Sequence, residues 1–168
     1  LSLIISHFLI LWLKITGVSV CQWLTFIPVF VSNNLNKTVL RFEPYGSEYP
    51  FQFNYNPNIL DLKIEEMISN FDVNYLYIPP KTYLNKLSFQ AFEINEDDKQ
   101  SQLGDPGGFC AAWSLWFAEN YILNVHKIDN LYDFIYDLIL EIRIKNISFK
   151  NMIRSFSAKI ANFRDKYL

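Results

Sequence analysis

The segment Phe109-Cys-Ala-Ala-Trp-Ser-Leu-Trp-Phe-Ala-Glu-Asn-Tyr-Ile-Leu123 constrains the fold more than any other stretch of the chain. It is apolar almost all the way round and rich in helix formers, so a helix here leaves little face for water and belongs inside the molecule. It follows Asp105-Pro-Gly-Gly108, a glycine-rich entry in which Asp105 is placed to cap exposed N–H groups. A buried helix needs other elements around it, and 168 residues are enough for one domain that supplies them.

The rest of the chain offers strands first and helices afterwards. Asn33-Asn-Leu-Asn36 is a turn cluster between two apolar segments, and residues 37–42 alternate in the manner of a strand, which predicts a β-hairpin. Residues 59–68 space their apolar side chains as a short amphipathic helix. Residues 73–78 read as a strand stopped by Pro79-Pro80, residues 87–94 as another strand, and Glu96-Asp-Asp-Lys99 as a solvated loop. Leu131, Phe134, Ile135, Leu138, Ile139 and Ile142 share one helical face, and Met152, Ile153, Phe156, Ile160 and Phe163 share another after Ser148. No internal repeat is apparent. The expectation is an α+β fold: a small mixed or antiparallel sheet, a buried central helix at about 109–123, and C-terminal helices.

Residues 1–32 carry a single charge, Lys14, which divides the chain into an apolar N-terminal segment, 1–32, and a domain, 33–168. Gly17, Val18, Val20, Thr25, Ile27 and Pro28 favour strands over one long helix, so the segment is expected to enter the core as strand or helix. The alternative is a membrane anchor over residues 1–31 in which Lys14 snorkels. Composition narrows the chemistry. With 51% hydrophobic, 17% aromatic and 19% charged residues the chain folds rather than staying disordered. A net charge of -2, from 15 basic against 17 acidic side chains, provides no basic field for a nucleic-acid backbone. Cys21 and Cys110 belong to no paired motif, so neither a disulfide framework nor a zinc site is expected, and no cofactor is implied.

Cys110 stands at the start of the predicted central helix, where unpaired N–H groups and the positive end of the helix dipole favour thiolate and could hold an oxyanion. Two further motifs accompany it. Arg41-Phe-Glu-Pro-Tyr-Gly46 closes a predicted strand, and Phe89-Gln-Ala-Phe-Glu93 precedes Gly104-Asp-Pro-Gly-Gly-Phe-Cys-Ala-Ala-Trp-Ser114. The first resembles the Phe-Glu-Pro-Phe-Gly segment of the adenovirus endopeptidase. The set in order resembles a group of uncharacterised proteins of large nucleocytoplasmic DNA viruses, over about residues 40–168. The resemblance implies an adenain-like cysteine peptidase fold, shared with the ubiquitin-like-protein-specific proteases, that cleaves amide bonds through an acyl-thioenzyme.

Carried over residue by residue, the resemblance makes Cys110 the nucleophile, Glu43 the acid that orients the base, Gln90 an oxyanion donor and His7 the upstream base. It implies a protein or peptide substrate, ubiquitin-like or a viral structural protein, met in the infected host cell cytoplasm or the virion. The pattern departs in two places. The family's nucleophile precedes Gly-x-Phe, a position held here by Pro106, and the expected neighbourhood of the His, residues 24–28, contains none. His126 follows the helix, out of order, and Gln100 and Gln102 compete with Gln90. Read from the residues alone, Glu43 is equally a strand-end carboxylate that pairs Arg41. The alternative function is therefore a catalytically dead structural or protein-binding module of the same fold.

Overall fold

The computed structural model describes residues 9–12, 23–29, 37–47, 56–96 and 109–167. Four strands form one sheet in the order β1-β2-β3-β4: β1 is Leu9–Trp12, β2 Trp23–Val29, β3 Lys37–Phe42 and β4 Tyr75–Ile78. β1 and β2 are antiparallel, and so are β2 and β3, with Thr25 opposite Phe42 and Val29 opposite Thr38. The pairing of β2 with β3 matches the expected hairpin, although its turn lies outside the described residues. β4 adds in parallel to β3, Lys37 opposite Tyr75, after a crossover through the helix α1, Pro57–Phe71. Parallel strands require such a crossover. Of the apolar N-terminal segment 1–32, Leu9–Trp12 and Trp23–Val29 are strands, and the rest lies outside the described residues.

α1 begins where Asn56 accepts hydrogen bonds at Oδ1 from the N–H groups of Asn58 (3.0 Å) and Ile59 (3.3 Å), with Pro57 preset for the first helical position. Its inner face packs Ile64 against Val39 and Tyr77 of the sheet. The chain then passes through Pro80–Thr82, one turn of tight helix, into α2, Phe89–Ile94. Residues 87–94 were expected as a strand, and this is corrected: six residues are too few for periodicity to separate strand from helix, and the Phe92 N–H turns back to the Ser88 carbonyl at 2.9 Å.

α3, Cys110–Asn124, buries Cys110, Trp113, Ser114, Phe117, Ala118 and Tyr121, a stripe at helical spacing. The core forms around it. Phe42 from β3 stacks on Phe117 with ring centroids 4.0 Å apart, and Phe89 of α2 lies 5.3 Å from Trp113. Two helices close the other sides. α4, Leu131–Ile144, is capped by the Asn130 side chain and buries Ile135, Leu138, Ile139 and Ile142. α5, Phe149–Tyr167, buries Phe149 and Ile153. Glu96, expected in a solvated loop, instead caps α5: its carboxylate accepts from the N–H groups of Phe149 (2.6 Å) and Lys150 (2.9 Å).

The expected adenain-like α+β class is corrected as well. Most of the described residues are helical, and most of the buried apolar side chains described lie on helices. Sequence reading overweighted the strands by adding one at 87–94, where the chain forms α2 after the last strand.

Candidate functional site

Two of the three motifs that carry the suspected chemistry are joined by backbone hydrogen bonds, and the described part of the third packs against them through aromatic rings. After β3 the chain turns through Glu43-Pro-Tyr-Gly46, with the Gly46 N–H donating to the Glu43 carbonyl at 3.1 Å. Gly46 adopts φ +136°, and a Cβ there would lie 2.2 Å from the Lys86 carbonyl oxygen, so only glycine allows this approach. The turn is then fastened to the start of α2. Ser47 N–H donates to Asn85 O (2.8 Å), Ser88 N–H to Tyr45 O (2.7 Å) and Gln90 N–H to Pro44 O (2.9 Å). Phe42, Phe89, Trp113 and Trp116 pack beneath this junction, Phe89 to Trp116 at 5.2 Å and Trp113 to Trp116 at 5.5 Å.

Glu43, Gln90 and Cys110 thus belong to elements that meet around Phe89 and Trp113. Glu43 is buried and faces a cation: its Oε2 lies 3.6 Å from Nη1 of Arg41. This is the strand-end pairing that the residues alone allowed. Gln90 is half-buried at the first turn of α2, and Cys110 is a buried thiol at the first turn of α3. His7, Asp105, Pro106, Gln100 and Gln102 lie outside the described residues. His126 sits in the tight turn Val125–Lys127, past the opposite end of α3, about 24 Å along the helix from Cys110 at 1.5 Å per residue.

Behind this junction lies a buried ionic network that sequence reasoning missed. Arg41, 2% exposed, donates from Nε to Asp61 of α1 at 2.7 Å and to the Tyr77 hydroxyl at 3.2 Å, while Tyr77 itself donates to Asp61 at 2.7 Å. Tyr83 donates to the Arg41 carbonyl at 2.7 Å. Burial pulls the Arg41 pKa down, but the bond and charge of Asp61 more than offset it and hold the guanidinium above its ordinary value. Burial, reinforced at Tyr77 by the bond to Asp61, pushes both tyrosine hydroxyls above the usual phenol range. The network ties α1, β3 and β4 together, which is a structural role.

Two grooves open along α3 on either side of its buried stripe. Toward α5 the lining is apolar: Leu115, Ala118, Ile122 and Leu123 face Phe156, Ile160 and Phe163 around a space of about 640 Å³. The one ion pair there is Glu119 with Lys159, at 2.8 Å. Toward α4 a second groove of about 430 Å³ is lined by Asn120, Asn124, Phe134 and Leu138 and by a row of carboxylates. Neither groove was singled out from the sequence, although the four-residue spacing of the carboxylates is visible there. Among the described residues, no group of His, Cys, Asp and Glu side chains could hold a metal ion, and no helix is long and apolar enough to cross a membrane.

Comparison with known proteins gives one informative likeness. Over 143 residues, 80% of this chain, the sequence is 41% identical to an ankyrin repeat protein of Acanthamoeba polyphaga mimivirus. The chain spans only 18% of that protein's length. No family model and no solved structure matches the chain. The likeness supports a viral setting, and it overturns the cysteine-peptidase relation and the hydrolase activity implied by the motifs, because the similar protein is described by its ankyrin repeats and not as a peptidase. Within this chain no self-similarity at the roughly 33-residue period of ankyrin repeats is apparent.

Proposed function

We propose that this chain is a protein-binding module. The observation that carries the reading is the outer face of α3. A helix this apolar leaves Leu115 at its margin and Leu123 65% exposed, with Phe163 of α5 66% exposed beside them, around an open groove whose one ion pair is already satisfied within the chain. Contiguous exposed apolar side chains of this kind mark surfaces that other proteins cover. The likeness to part of a long ankyrin repeat protein supports the same reading, since solenoids of such repeats present extended binding surfaces. The setting that fits is the infected host cell cytoplasm or the virion, with a viral structural protein or a ubiquitin-like protein as the partner to be tried first.

The test uses the tagged chain as bait, followed by separate production of each captured protein and measurement of binding between the two purified components. A purified partner that binds wild-type chain, and binds a Leu123→Ser/Phe163→Ser variant at least tenfold more weakly, is the expected result. Both side chains are exposed, so the variant keeps the fold. If no purified protein binds, the proposal falls.

A further inference from the structure

The groove between α3 and α4 has a chemistry that identifies what it receives. Asp129, Asp133, Asp137 and Glu141 follow one another at four-residue intervals, and all four line it. Asp133, Asp137 and Glu141 lie on α4, where this spacing stacks them on one face over about 12 Å, and Asp129 stands just before the helix cap. Like charges one turn apart oppose helix formation. Asp133, in the first turn, meets the positive end of the α4 dipole, but Asp137 in mid-helix has no such gain, and the packing of α4 is done by Ile135, Leu138, Ile139 and Ile142. Glu141 is paired with Lys145. No ion pair or hydrogen bond engages the side chains of Asp129, Asp133 or Asp137 among the described residues.

The opposite wall presents acceptors too. The Asn120 side-chain amide donates to the Trp116 carbonyl at 2.8 Å, and that of Asn124 donates to the Asn120 carbonyl at 2.8 Å. With their N–H groups turned back onto the helix, both asparagines have side-chain oxygens left to accept. Asn124 is also the last residue of α3, so the negative end of that helix dipole lies at this wall. Between the walls, Phe134, Leu138 and Ile128 supply apolar contact, and Lys127 is the one cation in the lining.

We infer that this groove docks a basic peptide segment of the protein partner, with Lys or Arg side chains spaced about one helical turn apart and apolar residues between them. The inference rests on the protein-binding reading above and adds the partner's chemistry to it. Charge complementarity selects the occupant. A nucleic acid has the wrong sign for this wall. Among the described residues no group of His, Cys, Asp and Glu side chains could hold a metal ion, these carboxylates included. A row of lysines or arginines matches the row of carboxylates, and their alkyl stems suit the apolar floor.

The test is fluorescence anisotropy on the whole chain with a labelled synthetic peptide of about twelve residues, three helical turns, bearing Lys at every fourth position and Leu beside it. A counterpart with Glu in place of Lys is the control. The expected result is binding of the Lys peptide alone, weakened by added salt and weakened about fivefold by Asp133→Asn/Asp137→Asn, the loss of two exposed ion pairs. Glu141→Gln serves as an independent variant in the same row. Equal binding of the two peptides, or an unchanged affinity in both variants, overturns the inference. Stoichiometric calcium binding that competes with the peptide also overturns it, as does self-association of the free chain that the double variant abolishes. A purified partner that binds wild type and Asp133→Asn/Asp137→Asn equally sinks this inference and leaves the protein-binding function standing. Absence of any purified partner removes the function itself.

Discussion

Replacing Arg41 with Met tests whether the buried network holds α1 to the sheet. The guanidinium has three neighbours: Asp61 at 2.7 Å, the Tyr77 hydroxyl at 3.2 Å and Glu43 at 3.6 Å. Met fills much of the same space but leaves the Asp61 and Glu43 carboxylates buried, each 5% exposed, without their cation. Removing one partner of a buried ion pair costs about 3–5 kcal/mol, against a typical domain stability of about 5–15 kcal/mol. Asp61→Asn keeps an oxygen for the Tyr77 hydroxyl and should cost about 1.5–3 kcal/mol, the range for a hydrogen bond to a charged group. The double variant Arg41→Met/Asp61→Asn is the sharper measurement. It removes both charges of the closest pair, so its loss should be well below the sum of the two single losses. Urea unfolding followed through tryptophan fluorescence, to which the buried Trp113 contributes, gives all three values. A loss under about 1 kcal/mol for Arg41→Met, or simple additivity in the double variant, would refute the view that this cluster is one coupled unit.

Gly46→Ala should destabilise by about 2–3 kcal/mol in the same assay, because the positive φ and the Lys86 carbonyl both oppose a Cβ. Stability should fall at alkaline pH: Tyr77 and Tyr83 keep their protons in the folded state above the unfolded value of about 10, so their contribution is full below pH 10 and is lost as pH rises beyond it. Unfolding free energies from pH 9 to 11 check this, and Tyr83→Phe should show a shallower decline. Asp137→Asn relieves like-charge contacts with Asp133 and Glu141 and should raise stability by about 0.5 kcal/mol in thermal or urea unfolding, even as it weakens the basic peptide. Cys110→Ala should leave partner binding unchanged while costing about 1 kcal/mol, since the thiol is a buried part of the α3 stripe.

The helices were legible wherever one face alone is apolar. Ile135, Leu138, Ile139 and Ile142 announce the buried side of α4, and Ser148, whose hydroxyl accepts from the Asn151 N–H at 3.1 Å, marks the start of α5. The central helix was legible as a helix, but not the exposure of Leu123: an all-round apolar pattern reads as burial, and only the placement of α4 and α5 shows which side stays open. The parallel pairing of β3 with β4 depends on α1 crossing between them, and no local pattern encodes that. Arg41, Asp61 and Tyr77 are 20 and 16 residues apart, so their meeting carries no sequence period either.

The motifs raise a different point, because the peptidase they suggested gave way while the contacts among them are real. Gly46 must be glycine to pass the Lys86 carbonyl, Pro44 and Tyr45 lend their carbonyls to the start of α2, and Phe42, Phe89 and Trp113 interlock beneath. Each of these positions is fixed by close approach or ring packing, and none of those requirements needs a reaction. A spacing that looks like a catalytic signature is therefore met here by the demands of joining β3, α2 and α3. The same logic explains why the grooves went unnoticed: a surface that meets a partner imposes no constraint on the chain's own packing. Its trace in the sequence is an unneeded cost, and Asp137, a like charge set one turn from both Asp133 and Glu141 in α4, is such a cost.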